Sequence, residues 1–202
     1  MNNSSSNNKK KLLIPVIIAV VAIAVLAIAF FSGGDSSDSN SHGDLQVSYG
    51  DAVMDPTGIE DGTCKISIVC NTVLDNMDDL KSGKETIIPA DGVILAETTV
   101  EFEGGDSVFD VLDDVAKANK IHLEYSESLL YNTMYIEGIN NLYEFDCGEL
   151  SGWMYCLNGV YTGVGCSRVY VQDGDVIEFI YTCALGNDVG AEYEAEVSFD
   201  KE

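Results

Sequence analysis

The stretch from Asp146 to Cys183 narrows the choice of fold more than any other part of the chain. Trp153 to Leu157 is a short apolar run rich in aromatics, and it stops at Asn158-Gly159. That dipeptide suits the two positive-φ positions of a type I′ hairpin turn. With a two-residue turn, positions pair by a constant sum. Trp153 then faces Val164, Tyr155 faces Thr162 and Leu157 faces Val160 on one side of the ribbon, and Cys156 and Tyr161 share the other. A second turn at Asp173-Gly174 precedes the alternating strand Val176 to Cys183, whose Ile177, Phe179, Tyr181 and Cys183 point one way.

A second alternation opens the folded part. Cys64, Ile66, Ile68 and Cys70 line one face of a predicted strand, with Lys65, Ser67 and Val69 on the other. Gly92 to Phe102 is a further apolar, β-branched run. The segment GGDSVFDVLDDVAKANK carries a helix start, with Asp106 or Ser107 at the N-cap and Asp110 in the first turn. Val108, Val111, Leu112 and Val115 form its apolar face, and Asn119 is a candidate stop. Ile121 to Tyr125 and Met134 to Ile136 read as short strands joined by a loop. The order strand, strand, helix, short strands, hairpin, strand predicts an α+β layer, one helix on one mixed sheet, with the first and last strands adjacent as in a β-grasp.

The N-terminal part differs in kind. Leu12 to Phe31 is an uncharged run of twenty residues behind Lys9, Lys10 and Lys11, with no acidic residue before Asp35. At helical rise such a run crosses a hydrocarbon core of about 30 Å, and the flanking charges place the N-terminus inside. The expectation is an uncleaved signal anchor, with a cleaved signal peptide as the competing reading. The predicted organisation is a cytoplasmic N-terminus at 1–11, a transmembrane helix at 12–31, a flexible acidic tether at 32–62, a folded domain at 63–186 and an acidic tail at 187–202. The chain would then be a single-pass membrane protein with its C-terminal domain extracellular.

The formal net charge of −24 repels nucleic acid and anionic headgroups alike, so DNA and RNA are excluded as partners. Cys64, Cys70, Cys147, Cys156, Cys166 and Cys183 form an even set, which in an oxidising compartment suggests disulfides. Fifteen connectivities are open. If the first and last strands are parallel neighbours, Cys70 meets Cys183. Cys147 and Cys166 flank the hairpin and make the next pair, which leaves Cys64 with Cys156. No CxxC pair or cysteine–histidine cluster points to zinc, and the DNMDD run at 75–79 lacks the spaced ligands and glycine of an EF-hand.

Nor does the sequence set out a catalytic constellation. His122 stands alone in an apolar run, Asp113-Asp114 sit on the polar helix face, and Asp173 and Asp175 frame a turn. The expectation is a non-catalytic module without cofactor. Trp153, Tyr155, Asn158, Gly159 and Tyr161, near the glycine-rich edge that continues to Gly163 and Gly165, are its candidate ligand-binding residues. The competing reading packs Trp153 and Tyr155 into the core against the helix.

Four motifs occur in order: GDSVFDVL at 105–112, YIEGI at 135–139, GWMYCLNG at 152–159 and YVQDGDVIEFIYT at 170–182. Together they resemble the transcobalamin-like C-terminal domain family, over roughly Thr63 to Leu185. The resemblance implies a ubiquitin-like β-grasp fold and cobalamin as a candidate ligand. In the animal carriers the ligand lies between this β-domain and a helical barrel. That barrel has no counterpart in this sequence, so the β-domain would offer half a site unless a separate chain completes it. Two functions follow as alternatives: a cell-surface module for a corrinoid or other small molecule, or a structural or adhesive module for a surface protein or wall polymer.

Overall fold

The computed structural model describes residues 52–129 and 132–191. Among the described residues seven strands and one α-helix follow in the order β1 (Gly62–Val69), β2 (Val93–Phe102), α1 (Val108–Asn119), β3 (Leu123–Ser128), β4 (Thr133–Ile139), β5 (Leu142–Tyr143), β6 (Gly152–Leu157) and β7 (Val176–Thr182). The strands divide into a four-stranded sheet, β2-β1-β7-β6, and a three-stranded sheet, β3-β4-β5.

The first and last strands run parallel, with Ile66 beside Ile177 and Ile68 beside Phe179. β2 and β6 flank them antiparallel. A parallel pair needs a long crossover, and the chain between β1 and β7 supplies it by running through β2, α1 and the whole second sheet. Alternation puts Cys64, Ile66 and Ile68 on one face with Ile177, Phe179, Tyr155 and Leu157, and α1 covers that face with Val108, Val111, Leu112 and Val115. Each such aliphatic side chain, once buried, contributes about 1.5–3 kcal/mol. The helix starts where a capping box holds it: the Asp110 amide donates to Ser107 Oγ at 3.3 Å, and the Ser107 amide donates to Asp110 Oδ2 at 2.9 Å. Its last residue is Asn119, the expected stop, and Lys120 caps it with φ 56°.

A second apolar cluster, of Cys70, Val73, Leu80, Leu142, Cys147 and Tyr181, lies at the far ends of β1 and β7. Trp153 packs against both clusters.

The expected architecture, one helix on one mixed β-grasp sheet preceded by a transmembrane helix, requires correction. The described residues form two sheets. Asn140 and Asn141, with φ 53° and 61°, turn the chain so that Ile139 pairs with Leu142, and β3-β4-β5 closes as its own antiparallel meander. The predicted loop after Tyr125 is partly strand, since Ser126 to Ser128 pair with Tyr135 to Thr133. Among the described residues no helix is long and apolar enough to cross a membrane. The run Leu12–Phe31, the cytoplasmic segment, the tether up to residue 51 and the tail beyond residue 191 lie outside the described residues.

Candidate functional site

The hairpin turn has the expected backbone, with φ 53° at Asn158 and 80° at Gly159, and Leu157 bridges Val160. The ladder goes no further on that side. β6 pairs instead with β7, so Trp153 lies opposite Tyr181 and Tyr155 opposite Phe179. The expected pairing partners of the arm after the turn are met only through a side chain: Tyr155 shares a hydrogen bond with Thr162 Oγ1 at 2.8 Å and donates to the Val164 carbonyl at 2.7 Å.

The candidate ligand-binding residues are therefore separated. Trp153 and Tyr155 share the covered face. Trp153 donates from Nε1 to the Leu142 carbonyl at 2.8 Å and meets Tyr181 edge-on at 5.3 Å, while Tyr155 stacks on Phe179 at 5.8 Å. Burial raises the phenol pKa of Tyr155 well above its ordinary value, and the hydroxyl serves as a structural donor. Asn158 locks the turn to the next strand, donating to Asp175 Oδ1 at 2.8 Å and accepting from the Val176 amide at 2.9 Å. Gly159 stands in open space at the turn. Tyr161 takes a different direction, donating to the Val189 carbonyl at 3.1 Å. Trp153, Tyr155 and Tyr161 do not form one surface.

The cysteines are present as thiols. Cys64 faces α1, whereas Cys156 alternates with Tyr155 and Leu157 and lies on the opposite face beside Glu178. Cys166 belongs to the cluster under α1 and Cys147 to the other. The structure thus brings together neither Cys64 with Cys156 nor Cys147 with Cys166. Among the described residues no three His, Cys, Asp or Glu side chains are grouped to hold a metal.

A different surface carries convergent polar and aromatic groups. In β4, Ile136 and Ile139 are buried. Their neighbours Tyr135 and Gly138 therefore turn outward, and Tyr143, paired with Gly138, turns outward with them. Tyr135 is 45% exposed and donates to Glu144 Oε2 at 2.5 Å. Tyr143 donates to Glu124 Oε2 at 2.6 Å, and the same oxygen is 3.9 Å from His122 Nε2. The Tyr143 ring lies flat across Gly138, where a Cβ would come within 2.8 Å of Cδ1. On this ring rests a cation: Lys84 Nζ is 4.7 Å from the centroid. Lys84 is held there by the Asn141 carbonyl at 2.6 Å and by Asp146 Oδ2 at 2.9 Å. The bond to Glu124, followed by burial, raises the Tyr143 pKa, and burial followed by the bond to Glu144 raises that of Tyr135. Both rings stay neutral and electron-rich at physiological pH.

Tyr135, Tyr143, Glu124 and Glu144 were not singled out from the sequence. A signal was present in YIEGINNLYE: an Asn-Asn turn sets a glycine opposite a tyrosine, a pairing in which the ring covers the missing side chain.

Residues 105–182 match the model of a family described as a domain of unknown function, DUF4430. No curated protein matches the chain. Among solved structures the chain is similar to haptocorrin in complex with Cbi, at 16% identity and a TM-score of 0.46, over 62% of this chain. It spans 26% of the haptocorrin chain. It is also similar to a protein of Ruminococcus gnavus ATCC 29149 described as a putative metal binding protein. There the identity is 16% and the TM-score 0.37, over 60% of this chain and 96% of that one.

Proposed function

We propose that this chain is a non-catalytic binding module that receives a cationic partner, a lysine- or arginine-bearing protein segment, on the outer face of the β3-β4-β5 sheet. The observation that carries the reading is Lys84 Nζ over the Tyr143 ring. It is an internal example of the contact that a partner's cation would make at the neighbouring, half-exposed Tyr135. Such contacts are worth about 0.5–1 kcal/mol at exposed sites and more when water is displaced. Glu124, Glu137 and Glu144 surround the rings, and the chain's charge of −24 draws basic partners toward it.

A corrinoid, the narrower expectation, fits less well. The groove between α1 and β2, lined by Val100, Asp106, Val111 and Asn119 among others, encloses about 190 Å³. Ligand pockets begin at roughly 300 Å³, so a corrinoid held in this groove would need a second body to cover it.

The test is calorimetric titration of the full chain with an oligolysine peptide and, separately, with cobalamin. The peptide should bind more weakly as salt rises, and Tyr135→Ala should lower its affinity roughly two- to fivefold with little change in melting temperature. Peptide binding indifferent to Tyr135→Ala would reduce the interaction to bulk charge and overturn the assignment of this face. Tight cobalamin binding that survives the same substitution would move the function to the corrinoid reading.

A further inference from the structure

Three thiols meet where β1, β7 and the β5–β6 connection converge. Cys70 follows β1, Cys183 follows β7, and Cys147 is held by an isolated bridge to Leu80. Cys70 and Cys147 are buried in one apolar cluster, and the partly exposed Cys183 packs against it. Both adjoin one short turn: Thr72 meets Cys183, and Asn76, whose side-chain amide donates to the Thr72 carbonyl at 2.8 Å, meets Cys147. Each is also steadied separately: Cys147 Sγ lies 3.3 Å from the Asn76 carbonyl, and the Cys183 thiol donates to Thr72 Oγ1 at 3.7 Å. Thr72 is itself pinned to the Tyr181 carbonyl at 2.5 Å.

We infer that Cys147 and Cys183 are an oxidisable pair, and that their disulfide ties the second sheet's exit loop to the last strand of the first. Cys70 is the neighbouring third thiol. The oxidant is a small-molecule disulfide. The Cys183 thiolate, the one that solvent reaches, attacks one of its sulfurs and expels the other half as a thiolate, which leaves a mixed disulfide on Cys183. The Cys147 thiolate then attacks Cys183 Sγ and expels the second half. The two protein thiols lose two electrons and two protons, and the small molecule leaves as two thiols. Burial, and then the nearby Cys183 thiol, pushes the Cys147 thiol up to about 12, so formation accelerates toward alkaline pH.

The bond would close the loop that contains β6 and the Trp153 turn. A loop of that length restricts the unfolded chain enough to raise the melting temperature by roughly 10 °C. The experiment incubates the reduced full chain with oxidised glutathione at pH 8.5, blocks the remaining thiols and maps peptides without reduction. The expected result is loss of two of the six thiols, a Cys147–Cys183 cross-linked peptide, and the rise in melting temperature. Cys70→Ser should keep both the cross-link and the rise, and Cys147→Ser should abolish both. A Cys70–Cys183 cross-link, a stable glutathione adduct on Cys183, or retention of all thiols in the wild-type chain would each overturn the assignment, and none of these depends on a variant folding.

Discussion

The Trp153 indole donates its Nε1 proton to the Leu142 carbonyl oxygen at 2.8 Å, joining a strand of the four-stranded sheet to the last strand of the three-stranded one. The chain's single tryptophan is therefore a fastener between sheets. Trp153→Ala should destabilise the domain by about 3–5 kcal/mol, through the loss of packing against both apolar clusters. Trp153→Phe keeps the edge-on contact with Tyr181 but removes the donor, and should cost about 1 kcal/mol. Guanidinium unfolding followed by circular dichroism measures both. A near-zero effect of Trp153→Ala would return this side chain to the list of ligand candidates.

Asp146 gives the domain its acid sensitivity. Its carboxylate is 4% exposed and lies 3.1 Å from Lys81 Nζ and 2.9 Å from Lys84 Nζ. Burial by itself would raise its pKa, but the Tyr143 amide and the two ammonium groups outweigh burial and hold it below the ordinary value. A depressed folded pKa contributes stability that is complete above the unfolded value, about 3.9, and is lost as pH falls through the folded one. Unfolding free energy should therefore decline from about pH 5 downward. Asp146→Asn should cost about 2–3 kcal/mol at neutral pH, less than a fully enclosed pair because Lys81 is largely solvated, and should flatten the acid limb. Parallel acid profiles for the two proteins would show that other carboxylates set the limb.

Gly138 keeps the outer face flat. An alanine there would drive its Cβ into the Tyr143 ring, 2.8 Å from Cδ1. Gly138→Ala should destabilise by about 1–2 kcal/mol, by displacing the ring from its seat. It should also weaken binding of the oligolysine peptide. Adding Tyr143→Ser should recover part of the stability, since the clash needs both partners. Strictly additive losses in the double variant would mean that the ring moves aside at no cost.

Where local chemistry suffices, the sequence and the structure describe the same features. Ser107 and Asp110 mark the start of α1, the alternation of Cys64 to Ile68 and of Ile177 to Tyr181 marks two strands with a core face, and Asn158-Gly159 marks a type I′ turn. Each depends on residues a few positions apart, through capping, a period of two, or tolerance of positive φ.

The tertiary structure decided which strands those turns and faces serve. The arm after Gly159 and strand β7 both offered partners for β6. β7 became that partner: it runs beside β1, and there Trp153 and Tyr155 pack against the apolar cluster that α1 covers. That choice turned Trp153 and Tyr155 toward the apolar face that α1 covers, and the Asn140-Asn141 turn set Tyr135 and Tyr143 on an outer face of their own. It also placed Cys147 beside Cys183 and Cys64 across the sheet from Cys156. Contacts of this kind join residues far apart in the chain. Their energies depend on the surface that remains after every other strand is seated, and a local pattern does not carry that information.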